Sequence, residues 1–197
     1  MKKTISTLIA ASILSGLLVG CATPQAKYVE GTQRVVTGNK INVQDWESAA
    51  QTMIDSLLDN VVNKGKLQTP PGEPAVFAVS QIRNNTGQHI DTDLLTKKIR
   101  IALNQTDKIV TTTTFGPAAE DQIAKGSSER DAFLRNASIR RPDYTLSGKI
   151  IEDRVRAGNV RQSSFIFQLS LSDSRGLAIW EDEHPITKQV KGGSVGF

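Results

Sequence analysis

"PAVFAVSQI" at residues 74–82 is the stretch that decides the fold. Its interior is nearly continuous in apolar and β-branched residues, without the alternation expected of a strand that has one face in water. Strands of this kind are typical of sheets covered on both faces, as in proteins with parallel strands and packed helices. Residues 74–82 therefore predict a buried strand inside an α/β domain.

Two amphipathic helices flank this strand. The first is predicted to begin with Asp45 as its N-cap and to end at Gly65, because apolar residues between them recur every three or four positions. The second is predicted over residues 91–105, with an aspartate or threonine cap at its start. Between the strand and the second helix, "RNNTG" at 83–87 has the composition of a turn or loop.

The rest of the chain predicts a mixed sheet. One or two short helices are expected at residues 118–139, and one or both of Trp46 and Trp180 are expected to be largely buried. Four more strands are predicted, at residues 107–114, 143–156, 163–174 and 177–188. The order α-β-α-β-α-β-β-β implies right-handed crossovers between parallel strands, followed by an antiparallel meander. The predicted fold class is therefore α/β, a small mixed β-sheet with packed helices.

The front of the chain has the anatomy of a secretory signal peptide. Lys2 and Lys3 precede an apolar stretch of about fifteen residues, which is short for a membrane span of roughly twenty. "LVGC" at 18–21 resembles the bacterial lipobox, in which a cysteine is acylated and becomes the first residue. The alternative is an ordinary cleavage that leaves Cys21, the single cysteine, as a free thiol. Ala22 follows where retention at the inner membrane usually requires Asp, so outer-membrane sorting is expected.

Composition then divides the chain into four parts. We expect a signal peptide at 1–20, a lipidated N-terminus and tether at 21–43, one globular domain at 44–190 and a loose tail at 191–197. The tether is polar and irregular in composition, and it would span about 75 Å at most. A single acyl chain holds a protein at a membrane only marginally. A lipoprotein that resembles this pattern carries three acyl chains on its first cysteine.

Charge gives little support for a nucleic-acid partner. The chain has 24 Lys and Arg against 20 Asp and Glu, and loss of the signal removes Lys2 and Lys3. The remaining excess of two positive charges, with no long basic run, is weak evidence for binding nucleic acid.

The search for reactive groups predicts no catalytic site, metal site, cofactor or small-molecule substrate. His89 and His184 are isolated from other metal-ligating residue types in the sequence. "GGSVG" at 192–196 matches a nucleophile motif but ends the chain, without the downstream acid and histidine that the motif needs. The acidic runs at 152–153 and 181–183 are interpreted as solvated surface rather than as a pair of catalytic carboxylates.

Two polar segments are candidates for binding a partner. The first, residues 83–89, joins a buried strand to a capped helix and offers Arg83, Asn84 and Asn85, although these residues suit a turn equally well. The second, residues 154–161, gathers positive charge around a turn and would suit an acidic surface. Its candidate residues are Arg154, Arg156 and Arg161.

Several longer stretches resemble the LpoB family of outer-membrane lipoprotein activators. They are "DWESAAQTMIDSLL" at 45–58, "VSQIRNNTGQHIDTDLLTKKIRIAL" at 79–103, "DYTLSGKI" at 143–150 and "FQLSLSDSRGLAIWEDEHPITK" at 167–188. The resemblance implies a domain similar to the N-terminal domain of TolB, no enzyme activity, and an outer-membrane position facing the periplasm. It also implies binding to a periplasmic regulatory domain of a class A penicillin-binding protein, with stimulation of glycan polymerisation and cross-linking.

The chain departs from the family pattern at two places. Residues 22–43 contain only Pro24, whereas the best-known members have a long proline-rich tether. "SIRRPDY" at 138–144 stands where many relatives have Gly before Ala-Asp-Tyr. A second interpretation from another class is a structural lipoprotein of an outer-membrane secretion or envelope assembly, which should carry a hairpin that inserts into the membrane.

Overall fold

A computed structural model describes residues 37–113 and 140–192. The expected signal peptide, Cys21, the helices at 118–139 and the end of the tail lie outside these residues. The chain from Arg34 to Phe197 forms one compact unit. The elements are α1 (Val43–Leu57), a π-helical turn (Leu58–Val62), β1 (Ala75–Val79), β2 (Arg83–Asn85), α2 (Thr92–Asn104), β3 (Ile109–Thr111), β4 (Tyr144–Ala157), β5 (Val160–Asp173) and β6 (Ala178–Lys191).

The described strands form one mixed sheet in the order β3-β1-β4-β5-β6. β1 pairs in parallel with β3 and with the start of β4, and β2 pairs in parallel with β4 farther along. β4, β5 and β6 form the antiparallel meander. The prediction of a mixed α/β fold, with parallel pairing before antiparallel pairing, is confirmed.

β1 is buried along its whole length, as its sequence predicts. All five residues from Ala75 to Val79 are buried, and Phe77 is fully enclosed. The Phe77 ring is tilted against the ring of Tyr144 on β4, with 5.4 Å between the ring centroids, a separation typical of favourable aromatic pairs. The strand therefore contributes to the packing on both faces of the sheet.

The first helix begins three residues earlier than its predicted cap. Asn42 is the N-cap, and its side chain accepts a hydrogen bond from the Asp45 amide at 3.0 Å. Asp45 accepts one from the Asn42 amide at 2.9 Å, which completes a capping box. Asp45 Oδ2 also forms an ion pair with Lys188 Nζ of β6, at 2.5 Å. The prediction of Asp45 as N-cap is wrong because this aspartate is the third helical residue, held by both the cap and the sheet.

α1 packs its apolar stripe against the sheet. Trp46 is 3% exposed and Trp180 is 8% exposed, so the prediction that one or both tryptophans are largely buried is confirmed, and both are. Ser56 of α1 donates a hydrogen bond to the carboxylate of Asp182 on β6. The prediction of solvated surface for the 181–183 run is therefore wrong at Asp182, which contacts the helix.

Several element boundaries differ from the predictions, including those of β2, β3 and β6. The first part of the 83–87 segment is a strand, because β2 uses β4 as its partner beyond the point where β1 ends. β3 covers only Ile109–Thr111. β6 continues to Lys191, the first residue of the expected tail, because β5 supplies a partner as far as Val160. Composition alone does not reveal these partners.

We predict that Gly148→Ala destabilises the domain. A Cβ at Gly148 would lie 2.8 Å from the Gln168 backbone oxygen and within 3 Å of Leu169 and Ile82 side chains. Overpacking of this kind costs about 1–3 kcal/mol of unfolding free energy. Urea unfolding measures it, with Gly192→Ala as the control because a Cβ there has no contact closer than 3.4 Å. Equal midpoints for the two variants would contradict this packing.

Candidate functional site

The structure brings the two candidate binding segments together. β2 lies beside β4, with Arg83 opposite Lys149 and Asn85 opposite Ile151. Just beyond β2, the amide of Gly87 donates a hydrogen bond to Glu152 Oε2 at 2.9 Å. The segment at 83–89 and the hairpin that carries residues 154–161 are therefore neighbours, although the sequence presented them as separate candidates.

Glu152 is the residue that joins the two segments. Its Oε1 accepts from Arg154 Nε at 2.6 Å and its Oε2 from Arg154 Nη2 at 2.8 Å, which is a bidentate ion pair. The Glu152 side chain is 5% exposed, and that of Arg154 is 62% exposed. The interpretation of Glu152 as solvated surface is wrong, because strand alternation places it on the helix side of the sheet, whereas its neighbour Asp153 is exposed.

The environment of Glu152 stabilises its ionised form. The hydrogen bond from Arg154 lowers the pKa of the carboxyl, and the Gly87 amide lowers it further, against the opposing effect of burial. A carboxylate whose pKa is lower in the folded state stabilises the fold above its unfolded pKa. That stabilisation is lost as the pH falls through the folded-state value.

Glycine at position 87 permits this contact. A Cβ there would lie 2.5 Å from Nη2 of Arg154. No side chain larger than hydrogen fits while the Arg154–Glu152 pair is in place, so the backbone can approach the carboxylate closely. The sequence signal was a Gly after an Asn-Asn-Thr run, which indicated a turn but not its partner.

Asn84 is used by the protein itself. Its side-chain amide donates to the Gln88 carbonyl at 2.8 Å, and its Oδ1 accepts from the Thr86 amide at 3.1 Å and hydroxyl at 2.8 Å. The residue is half-buried, whereas Arg83 and Asn85 are exposed. Asn84 therefore shapes the turn, while Arg83 and Asn85 project to the other face of the sheet.

Gln88 ties the same segment to the start of α1, a role that the sequence did not reveal. Its Oε1 accepts from the Ile41 amide at 3.0 Å, and its Nε2 donates to the Ile41 carbonyl. Ile41 is 2% exposed, so this contact sits at the margin of the core. The segment is thus held at Gly87 by the hairpin and at Gln88 by the helix, and is a rigid support for Arg83 and Asn85.

Arg156 and Arg161 lie farther out on the same hairpin. They are directly opposite each other in the β4–β5 register, and both are exposed. Arg156 Nε makes a 3.5 Å contact with the Gly158 carbonyl across the turn. These two residues do not contact the 83–89 segment in the way that Arg154 does, and they form a separate basic end of the hairpin.

The acidic residues of β6 make side-chain hydrogen bonds on the sheet. Glu181 accepts from Ser170 at 2.8 Å, and Glu183 accepts from Gln168 at 2.9 Å. Within residues 37–113 and 140–192, no group of three or more His, Cys, Asp or Glu side chains could hold a metal ion. Over the same ranges, no helix has the length and apolar character needed to cross a membrane.

The fold and the surface around Glu152 define a mixed α/β domain whose polar and basic face suits contacts with another protein. The family model described as "Peptidoglycan-synthase activator LpoB" matches residues 45–186, from α1 to β6. The chain belongs to the LpoB family. Its role is therefore that of a regulatory activator of peptidoglycan synthesis and not that of an enzyme.

Several solved structures are similar in fold. The LpoB C-terminal domain from Salmonella enterica shares 19% identity over 72% of this chain and 98% of that one, with a TM-score of 0.42. The NMR structure of Escherichia coli LpoB shares 16% identity over 86% of this chain and 85% of that one, with a TM-score of 0.41. The lipoprotein GNA1162 from Neisseria meningitidis shares 15% identity over 61% and 88%, with a TM-score of 0.37. A comparison with curated proteins found no match.

We predict that Glu152→Gln lowers stability at neutral pH by about 1 kcal/mol, the difference between hydrogen bonds to charged and to neutral acceptors. The loss should shrink as the pH falls through the lowered pKa of Glu152, because the wild-type carboxyl then becomes neutral too. Urea unfolding at several pH values measures this. Asp153→Asn is the control, since that carboxylate is exposed. A loss that does not change with pH would contradict the role of the charge.

Proposed function

We propose that the chain is an outer-membrane lipoprotein that faces the periplasm and binds a regulatory domain of a bifunctional class A penicillin-binding protein. By binding, it stimulates both the glycosyltransferase and the transpeptidase activity of that synthase. The observation that carries the proposal is the family match over residues 45–186, which covers most of α1, all of α2 and the meander as far as Ile186 of β6. The chemistry of the described surface, which offers hydrogen bonds and positive charge, suits a protein partner.

The proposal includes the anchor and the division of the chain. Residues 1–20 act as the signal, Cys21 carries the acyl chains, residues 21–43 join the anchor to the domain, and residues 44–190 form the domain that binds the synthase. "LVGC" at 18–21 and the single cysteine support this assignment. Several acyl chains on one residue would hold the protein at the membrane far more firmly than one.

The contact with the synthase is centred on Arg83 and Asn85. These side chains lie on the sheet face opposite to buried Ile150, next to Lys149 and Ile151 of β4. Ile151 is in turn opposite Ile166 of β5, so a half-buried apolar pair adjoins the polar residues. Arginine beside partly exposed aliphatic side chains is a composition enriched at protein interfaces.

Electrostatics favour an acidic partner for this surface. Arg83 and Lys149 are direct cross-strand neighbours, and like charges in this arrangement repel each other. A carboxylate on the partner would relieve the repulsion, and such pairs mainly raise the association rate and the specificity. We expect the stimulation to weaken at high salt.

We predict that the mature chain begins with an acylated Cys21. Mass spectrometry of protein extracted from membranes measures the mass of the N-terminal peptide. Cys21→Ala should remain unacylated and leave the outer-membrane fraction, while its domain should have an unchanged circular-dichroism spectrum. An unmodified cysteine in the wild-type peptide would contradict the proposed anchor.

We predict that the double variant Arg83→Ala, Asn85→Ala requires about 5- to 30-fold more protein for half-maximal stimulation of glycan polymerisation. The range corresponds to roughly 1–2 kcal/mol, as is common when an interface arginine is truncated. The assay uses residues 22–197 with purified synthase in detergent. The control is Arg175→Ala, an exposed arginine at the β5–β6 turn, at the opposite end of the hairpin. Equal stimulation by all three proteins would exclude Arg83 and Asn85 from the contact.

A further inference from the structure

The end of the β4–β5 hairpin, defined as residues 154–161 with Lys191 of β6, carries positive charge that the described part of the protein does not neutralise. Arg156 and Arg161 are directly opposite each other in an antiparallel pair. No carboxylate of residues 37–113 or 140–192 lies within ion-pair distance of either. Like charges placed directly opposite destabilise a sheet, so the pair has a cost that a bound anion would offset.

The other cations of this region have partners. The charge of Arg154 is paired with Glu152, and that of Lys188 is paired with Asp45. The carboxylate of Asp153 alternates to the opposite face of β4 from Arg154 and Arg156. Within the described ranges, the cations nearer the core are thus paired with carboxylates, and Arg156 and Arg161 are not.

Lys191 extends the basic end to β6. It is exposed and lies opposite Val160 of β5, one row beyond Arg161 and Val190. The Gly192 amide donates to the Asn159 carbonyl at 2.8 Å, so the last residues of β6 are fixed beside the hairpin turn. Strand alternation places Lys191 on the face of Val160 and Ala157, so the end of the sheet carries Arg156 and Arg161 on one face and Lys191 on the other.

Apolar side chains lie on the other face of the same end. Val155 is 51% exposed, Ala157 is exposed, and Val160 is half-buried. Strand alternation separates these residues from Arg156 and Arg161. Basic residues beside exposed aliphatic ones, at the projecting end of an element, are typical of contacts with an anionic membrane surface.

The chain enters the domain at this end. A Cβ at Gly38 would lie 3.6 Å from Cγ2 of Val190, so the chain enters the domain beside the hairpin end. Gly38 follows Cys21 by 17 residues, a length that reaches about 60 Å at most. An anchor at Cys21 would thus hold the hairpin end at a high local concentration of lipid headgroups.

We propose that the hairpin end docks end-on on an anionic phospholipid surface, with Arg156 and Arg161 on one face of the sheet and Lys191 on the other. The choice of a lipid partner rests on the proposed anchor. An acidic protein would satisfy the same charges, but the entry of the anchored chain at this end favours the membrane. Docking would orient the domain, with Arg83 and Asn85 farther down β4, beside Lys149 and Ile151, away from the end that contacts lipid.

The experiment measures binding of the unacylated chain, residues 22–197, which contains the whole compact unit. Vesicles of phosphatidylethanolamine with phosphatidylglycerol are compared with vesicles of phosphatidylcholine alone, by flotation. We expect binding to the anionic vesicles only, and weaker binding at about 0.3 M salt than at about 0.05 M. Arg156→Gln with Arg161→Gln should weaken it roughly 30-fold, since each basic residue near the surface contributes about fivefold.

A matched control has the same net charge. Lys66→Gln with Arg175→Gln removes two exposed cations at the other end of the domain, and it should bind the anionic vesicles like the wild type. Equal losses in both double variants would overturn the proposal, since binding would then follow net charge alone. Equal binding of wild-type chain to both kinds of vesicle would also overturn it.

Failure of the lipid-docking proposal can be distinguished from failure of the proposed function. Vesicle binding is measured without acylation and without the synthase, so an unmodified Cys21 or an inactive Arg83 surface leaves this result unaffected. If Arg156→Gln with Arg161→Gln binds vesicles like the wild type but stimulates the synthase less, the basic end contacts the protein partner and the lipid proposal is wrong.

Discussion

The burial of β1 on both faces is the constraint on which the rest of the structure depends. A five-residue strand with no exposed side chain has to be flanked by strands and covered above and below. β3 and β4 supply its parallel neighbours. Parallel neighbours cannot be joined by tight turns, so the chain must cross over between them, and α2 is the crossover from β1 to β3.

β4 converts this buried core into an exposed surface. Its first residues pair with β1, its middle pairs with β2, and its last residues extend into a hairpin that only β5 and β6 accompany. Side chains on the helix side change accordingly, from fully buried Leu146 and Ile150 to the nearly buried Glu152 and then to exposed Arg156. Glu152 marks the margin of the core, where a charge is tolerated because a guanidinium and a backbone amide satisfy it.

The charged residues fall into two groups, those paired with an opposite charge near the core and those without an ion-pair partner among the described residues. The ion pair of Asp45 with Lys188 joins α1 to β6. The ion pair of Glu152 with Arg154 lies on β4, where Glu152 also holds the turn at Gly87. Among residues 37–113 and 140–192, no carboxylate forms an ion pair with Arg83 on one face or with Arg156 and Arg161 at the hairpin end, and all three arginines are exposed on strands. Exposed charges on a rigid scaffold recognise partners at little cost in side-chain ordering, which fits an activator that works by binding.

The sequence by itself determined the elements and the class of the fold. The apolar run at 74–82, the helical stripe after Asn42 and the alternation from Phe165 to Leu171 are local patterns, and each produced its element. They also indicated that at least one of the two tryptophans is buried, and the structure shows that both are. Such patterns suffice because the spacing of apolar residues indicates which face of a helix or strand is buried.

Only the tertiary structure decided which distant residues meet. The "RNNTG" segment became partly strand because β4 passed beside it, and Glu152 became an internal link because Gly87 and Arg154 came within hydrogen-bonding distance. Asn84 looked like a binding residue and proved to hold the turn through Gln88 and Thr86. The physical reason is that hydrogen-bond partners and strand register depend on three-dimensional proximity, which the spacing of residues along a single chain does not encode.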